Sequence, residues 1–310
     1  MGDSFYNLPK TNYNDNPVSY HLIVIDNLMK LIGGYMKKKI VALLVAFTFF
    51  LTACSSTKEV EEKPILLQGA MDVEVETMTN ALEEKEELHL GKYIYYKGTI
   101  DDYPVIVSKT NVGIANSAAS TTLAIEEFDP MIIINQGTAG GHDPELHRMD
   151  VVVGEHILNM GAFKTDFQAE GEGVDPAAFE LRETEVLTKG KGQATEVQEF
   201  TSDETLMELA MEMQDSYTAG HVVKGTIGTA DEWNNQLDRI DILHTKLGTS
   251  AEEMESAAVA QMAYNYSIPY LGIRVLSNTA VHDEDFEPQS AVDLQEYVVE
   301  IVKAYISEQK

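Results

Sequence analysis

The sequence is poor in cysteine and in basic residues, and both shortages exclude classes of protein. Among 310 residues there is one Cys, so the chain can form no internal disulfide and no multi-cysteine metal site. Only 22 Lys and Arg stand against 51 Asp and Glu, which gives a formal net charge of −29. A nucleic-acid-binding surface needs a basic stripe to meet the phosphate backbone, and the sequence offers none in its folded part. We therefore expect no nucleic-acid partner.

Histidines are also few, and their spacing excludes the common metal motifs. The closest two of the 8 His are His142 and His147, and their separation matches no metal-binding pattern. We expect no metal and no cofactor.

The sequence also lacks an apolar run long enough to cross a bilayer as a mature helix, which requires about 20 residues. Its strongest candidate, residues 40–51, follows three Lys and ends in Leu-Thr-Ala-Cys at Cys54. Charge, apolar run and small residues in this order are typical of a secretory signal. The end of the run resembles a bacterial lipoprotein signal, in which the Cys receives the lipid and becomes the first mature residue. The alternative is a free Cys at the end of a buried helix.

These features divide the chain into segments. We expect residues 36–53 to be a lipoprotein signal peptide, Cys54 to be the lipidation site and residues 54–64 to be a flexible polar tether. Residues 65–310 would form the working domain, held by lipid at the extracytoplasmic face of the cell membrane.

Residues 1–35 lie upstream of this complete signal, although an export signal normally begins a chain. We therefore expect translation to start at Met36, so that residues 1–35 are not part of the protein. A precursor whose mass includes them would contradict this.

From residue 65 onward, short apolar runs alternate with amphipathic stretches. The strands predicted are 65–68, 93–100, 105–109, 131–135, 150–154, 221–227 and 268–276, with 93–109 as a hairpin turning at 101–104. The helices predicted are 71–82, 117–127, 204–214 behind Ser202 as a possible cap, and 290–307 with Ser290 and Asp293 as a capping box. Residues 163–195 are predicted to leave the sheet. This alternation indicates a single α/β domain with a mostly parallel central sheet flanked by helices.

Two stretches have the composition of a ligand site. Residues 135–141, NQGTAGG, place a Gly-rich turn at the carboxyl end of a predicted central strand, where ligands bind in open α/β sheets. The alternative is an ordinary tight turn. Residues 250–256, SAEEMES, place acids immediately before the apolar-periodic run Ala257, Ala258 and Met262. At a strand-to-helix junction, such a carboxylate can accept the paired hydroxyls of a ribose. The alternative is an acidic helix start capped by Ser250.

The stretches GAMDVE at 69–74, NQGTAGG at 135–141, EME at 253–255 and RVLSN at 274–278 occur in this order across the predicted domain. Together they resemble one family, the 5′-methylthioadenosine/S-adenosylhomocysteine nucleosidases of the nucleoside phosphorylase superfamily. A set of four motifs in the family's order is more specific than any one of them. The resemblance implies a nucleoside phosphorylase-like fold, hydrolysis of the N-glycosidic bond of a purine nucleoside or thionucleoside, and a homodimer.

The resemblance also implies roles for individual residues. Glu74 would activate the attacking water, and Glu255 would take the ribose hydroxyls. Trp233, the single Trp of the chain, falls where the family places an aromatic ring against the purine. The substrate-binding residues implied are Thr138, Trp233, Glu253, Met254, Glu255 and Ser277. The alternatives are a solvated helix-start acid for Glu74 and a core side chain for Trp233.

Two positions decide between branches of the superfamily. Phosphorylases carry a phosphate-binding Arg where this chain has Asn135, so hydrolysis is favoured over phosphorolysis. The nucleosidases carry an Asp at the catalytic position of Asn278, where it protonates N7 of the departing adenine, and an amide has no such proton to give. The protein would then prefer 6-oxopurine nucleosides, use a neighbour such as Asp283 as the acid, or be a lipid-anchored nucleoside-binding protein with little or no catalysis.

Overall fold

The computed structural model describes residues 62–188 and 192–310. The predicted upstream segment 1–35, signal peptide 36–53 and lipidation site Cys54 lie outside the described residues, as does most of the predicted tether.

Strands and helices alternate along much of the described chain. The strands are β1 (Ile65–Gly69), β2 (Glu83–Leu90), β3 (Tyr93–Ile100), β4 (Tyr103–Lys109), β5 (Ile132–Gly141), β6 (Val151–Asn159), β7 (Phe163–Thr165), β8 (Phe179–Leu181), β9 (Thr184–Thr188), β10 (Gln193–Val197), β11 (Phe200–Thr201), β12 (Val222–Thr229), β13 (Thr249–Glu253) and β14 (Tyr270–Asn278). The helices are α1 (Asp72–Ala81), α2 (Ile114–Phe128), α3 (Glu204–Glu212), α4 (Leu237–Leu247), α5 (Ser256–Tyr266) and α6 (Gln289–Gln309).

Ten strands form one sheet in the order β11-β6-β12-β13-β5-β1-β4-β3-β2, with β14 pairing to both β5 and β6. Strands β5, β14, β6, β12 and β13 thus form a closed ring of pairings. The fold class is the predicted single α/β domain, but the sheet is mixed. Among the described strands, β2 and β3 form an antiparallel edge, and β13 and β6 add antiparallel pairings within the ring.

Residue alternation along the central strands builds the core on two faces. Ile65 and Leu67 of β1 face α1, α3 and α6, while Leu66 between them faces α2 and α5. Consecutive residues of a strand point to opposite faces of the sheet, and both faces are buried here. Apolar side chains are therefore needed at consecutive positions, which explains the continuous apolar runs.

The predicted hairpin is confirmed by the antiparallel pairing of β3 with β4. Its turn is shorter than predicted, because Tyr103 and Pro104 belong to β4. Asp101 and Asp102 both have positive φ, 49° and 66°, which suits a two-residue hairpin turn. The predicted excursion is also confirmed: β7 pairs with β8, and β9 with β10, outside the main sheet.

Two predicted helix caps are wrong. Asp203, and not Ser202, caps α3, since its carboxylate accepts the Leu206 N–H at 3.2 Å. Ser290 lies inside α6 and donates its hydroxyl to the Glu287 carbonyl at 2.7 Å.

The predicted Gly-rich turn after residue 135 is instead the second half of β5, which continues to Gly141. These glycines give room to neighbouring side chains rather than bending the chain. A methyl group at Gly137 would lie 3.0 Å from Glu74 Oε1, and one at Gly141 would lie 2.6 Å from Thr279 Cγ2.

Candidate active site

A cavity of about 430 Å³ opens where β1, β5, β13 and β14 end, within the range of about 300–1,000 Å³ usual for small-ligand sites. The eight predicted site residues in the described part of the chain all line it: Glu74, Thr138, Trp233, Glu253, Met254, Glu255, Ser277 and Asn278. The lining residues outside the predicted set are Ala70, Met71, Val112, Ala139, Gly140, Glu232, Glu252 and Phe286. The sheet thus brings four separated motifs to one place, while the roles assigned to their residues stay predictions.

Glu74 lies in the first turn of α1 and is 3% exposed, so it is not a solvated helix-start acid. Its Oε2 accepts the backbone N–H groups of Ala70 and Met71, both at 2.9 Å. Its Oε1 accepts the N–H of Thr138 at 2.8 Å and the hydroxyl of Thr138 at 2.9 Å. Four donors from two chain segments hold the carboxylate in one position at the cavity wall, where it could reach a water bound beside a ligand.

Glu255 lies between β13 and α5, so the acids do sit at a strand-to-helix junction, and the alternative of a helix start capped by Ser250 is wrong. Its Oε1 accepts the Gly113 N–H at 2.8 Å, and no described residue bonds to its Oε2. Burial, and then the neighbouring Glu253 carboxylate, raise the pKa of Glu255 to about 8. A buried carboxyl group with a free oxygen facing the cavity can bind hydroxyl groups of a ligand.

Glu253 also lines the cavity, but its carboxylate is already engaged. Its Oε2 accepts the N–H groups of Glu255 at 2.9 Å and Ser256 at 2.8 Å, and pairs with Nη2 of Arg274 at 2.6 Å. Arg274 is 1% exposed and also donates to the carbonyl of Asn135 at 2.9 Å. This geometry makes Glu253 a support for the junction that presents Glu255, and its predicted contact with substrate stays a prediction.

Trp233 is 61% exposed and is therefore not a core side chain. Val112 and Phe286, which are 47% and 44% exposed, line the same cavity from other loops. Three apolar side chains that water reaches in the free protein form a rim suited to the flat face of a base or another apolar group.

Asn278 ends β14 and turns its Oδ1 toward the Ser277 hydroxyl, which lies at 3.1 Å. Its Nδ2 bonds to no described residue and is the group left to meet a ligand. Asp283, the predicted substitute acid, is exposed and does not line the cavity. The structure therefore does not place Asp283 where it could protonate a bound base.

The described part of the cavity lining contains acids and no basic side chain. Five of its lining residues are glutamates, and none of the described lining residues is Lys, Arg or His. Arg274 is close to the site but its guanidinium is occupied by Glu253 and Asn135. Such a cavity offers no cation to hold a phosphate group.

Glu252 is the most informative lining residue outside the predicted site. It lies on β13, it is 6% exposed, and it bonds to the segment that carries Trp233. Its place in the run of acids was the available signal, but the sequence did not reveal that 249–253 forms a strand.

In the described part of the chain, no group of His, Cys, Asp and Glu is arranged to hold a metal ion. No helix in that part has the length and apolarity of a membrane span.

Comparison with known proteins gives a consistent result. A family model described as the phosphorylase superfamily matches residues 64–307. The 5′-methylthioadenosine/S-adenosylhomocysteine nucleosidase of Bacillus cereus strain B4264 is 31% identical over 245 residues, which are 77% of this chain and 98% of that protein.

Among solved structures, the nucleosidase of the same name from Neisseria meningitidis, in complex with methylthio-immucillin-A, matches with a TM-score of 0.63 and 25% identity, covering 78% of this chain and all of that one. The futalosine hydrolase of Helicobacter pylori strain 26695 matches in fold, with a TM-score of 0.62 and 22% identity, over 79% of this chain and 98% of that one. The predicted nucleoside phosphorylase-like fold is confirmed.

Proposed function

The chain belongs to the 5′-methylthioadenosine/S-adenosylhomocysteine nucleosidases of the phosphorylase superfamily, and we propose that it hydrolyses the N-glycosidic bond of a purine thionucleoside or nucleoside. The observation that carries this proposal is a cavity with a fixed carboxylate, Glu74, at its wall and no cation in its described lining. A phosphate nucleophile would find no cation in this lining to hold it, whereas water is neutral and needs none.

The chemistry follows from the positions of three side chains. Glu255 accepts ribose hydroxyls, and Trp233 stacks on the base. Water attacks C1′, its proton passes to Glu74, and the bond from C1′ to the purine nitrogen breaks with its electron pair leaving on the base. The Thr138 hydroxyl is the one donor to Glu74 that can rotate away, and this motion would free Oε1 to take the proton.

Asn278 bears on which base leaves. Its Nδ2 can donate a hydrogen bond to N7 or O6 of a purine, but it cannot transfer a proton as a carboxylic acid does. This is the observation that favours the alternative of a nucleoside-binding protein, and the family membership outweighs it.

The test is release of free base from methylthioadenosine, adenosine, inosine and guanosine, each with and without inorganic phosphate. We expect release at a rate that phosphate does not change. A rate that requires phosphate would contradict hydrolysis, and saturable binding without release from any of the four would support the binding protein.

The location of the protein is also a proposal, and it rests on the sequence before residue 65. Cys54, after the signal 36–53, supports a lipid anchor at the extracytoplasmic face of the membrane. The family resemblance supports a homodimer, which the molar mass in solution would test. The mass of the unprocessed precursor would test whether residues 1–35 are translated.

A further inference from the structure

Residues 232–235, which carry Trp233, have few hydrogen bonds to the rest of the chain. The residues just before them are anchored, because the Ala230 N–H donates to the Glu253 carbonyl at 3.0 Å and Asp231 Oδ1 accepts the Ile114 N–H at 3.0 Å. Residues 230–236 join β12 to α4 without regular structure. Among the described residues, two hydrogen bonds link residues 232–235 to the rest of the chain, and both come from Asn234. Its N–H donates to Glu252 Oε1 at 2.7 Å, and its side-chain Nδ2 donates to Glu252 Oε2 at 2.5 Å. Packing adds little at Trp233 itself, because the ring is 61% exposed.

Glu252, in contrast, sits on a rigid element. It lies on β13 opposite Gly140 of β5 and is 6% exposed. Behind it, Nε2 of the buried His142 lies 3.3 Å from Glu252 Oε2, while His142 Nδ1 contacts the Thr249 hydroxyl at 2.9 Å. A buried carboxylate is costly unless it is partnered, so its two bonds to Asn234 are strongly favoured.

We propose that Glu252 is a positioning residue, which clamps Asn234 and thereby holds the neighbouring Trp233 in place over the purine. This proposal rests on the proposed function, since it takes Trp233 as the ring that stacks on the base. An exposed side chain on an irregular segment would otherwise lose conformational freedom each time a ligand binds. The clamp removes that cost in advance and so acts on substrate binding, while Glu74 acts on the reaction.

Reciprocal substitution of the clamped pair provides the test. Glu252→Ala removes both acceptors of the clamp. Glu252→Gln alone would not, because the Asn234 amide can turn and present its Oδ1 to the new NH₂. Asn234→Asp sets a carboxylate against a carboxylate. The double variant Glu252→Gln/Asn234→Asp restores donor to acceptor, because the new amide NH₂ donates to the new carboxylate. Glu155→Gln, an exposed acid on β6, is the control for loss of one negative charge.

Fluorescence gives a readout that does not depend on turnover, because Trp233 is the single Trp of the chain. The fast component of the fluorescence anisotropy decay, which we call depolarisation, reports local motion of the Trp233 ring. In the free protein, we expect each single variant to increase this depolarisation and the double variant to restore the wild-type value. The KM for the nucleoside should rise about tenfold in the single variants, with a smaller change in kcat, and return toward wild type in the double variant.

Unchanged depolarisation and KM in both Glu252→Ala and Asn234→Asp would overturn the clamp, as would a double variant no better than Asn234→Asp alone. Thermal unfolding of each variant separates loss of the clamp from loss of the fold. Failure of the proposed function gives a different result: purines would leave the wild-type fluorescence unchanged, while the depolarisation measured in the free protein would still report on the clamp.

Discussion

At the scale of single residues, Glu74 combines burial with four hydrogen-bond donors, and this sets the effect of its substitution. We predict that Glu74→Gln lowers kcat by about 10²–10⁴-fold, because an amide cannot take the proton of water. Ligand binding should change far less, since the ribose and base contacts remain. Both oxygens of Glu74 accept backbone N–H groups, so the NH₂ of the substituted side chain must face a donor. We therefore expect the variant to lose about 1–3 kcal/mol of stability.

Rates of base release, ligand affinity and thermal unfolding measure the three effects of Glu74→Gln separately. Base release at the wild-type rate would remove Glu74 from its role as general base.

Our second prediction concerns Asn278 and its effect on the release of the base. Asn278→Asp should raise the rate of adenine release from methylthioadenosine, by up to about 10²-fold, because a carboxylic acid can protonate N7 and an amide cannot. The same change should not raise release of hypoxanthine or guanine. Competition between methylthioadenosine and inosine in one assay measures the ratio directly. Equal adenine release by wild type and variant would imply another acid in the site.

At the scale of elements, the junction of β13 with α5 buries Glu253 and Glu255 beside one Arg274, and this makes stability depend on pH. Folding raises the pKa of Glu255 from 4.5 to about 8. Between these values the folded state keeps a proton that the unfolded state has released, so the contribution of this group to stability falls as pH rises through the window.

We therefore predict that Glu255→Gln, which cannot titrate, loses less stability than wild type between about pH 5 and pH 8. The gain has a cost in function, because the variant should bind nucleosides more weakly than wild type, by a larger factor than free purines. The measurement is the unfolding temperature of both proteins across this pH range. Subtracting one curve from the other leaves the contribution of Glu255, because the other titrating groups are the same in both proteins. Parallel curves would show that Glu255 is ionised in the folded protein.

The elements differ in how far the sequence predicts them. Strands β1, β5 and β6 were predictable because they are buried on both faces and read as continuous apolar runs. Strand β2 was not predicted, because its sequence EEKEELHL is that of an exposed edge, where charge blocks further pairing. Strand β13 was not predicted, because its sequence TSAEE resembles the acidic first turn of a helix. Its two acids are buried only because residues far away in the sequence pair with them, such as Arg274 with Glu253 and Asn234 with Glu252. Site residues that a motif contains were predictable, whereas Val112 and Phe286 come from loops with no local signal.

At the scale of the whole molecule, the net charge opposes the proposed attachment to a membrane. The net charge of −29 repels an anionic membrane surface, so electrostatic attraction cannot hold this protein there. Lipid on Cys54 could hold it if more than one acyl chain is attached, since each buried CH₂ contributes about 0.8 kcal/mol and a single chain binds only reversibly. Attachment through lipid is also insensitive to salt, whereas attachment through surface charge is screened. We therefore expect the protein to stay in the membrane fraction through a high-salt wash and to leave it in detergent.

The last prediction places that lipid on Cys54. Metabolic labelling with a fatty acid should label the wild-type protein and the control variant Ser55→Ala, and should not label Cys54→Ala, since the chain has no second thiol. The labelled peptide should begin at residue 54, because the Cys becomes the first mature residue in the signal that this segment resembles. Base release in detergent should be equal in all three proteins, because the site lies within residues 65–310. Label that persists in Cys54→Ala, or a mature protein beginning elsewhere, would contradict the anchor and leave the extracytoplasmic location without support.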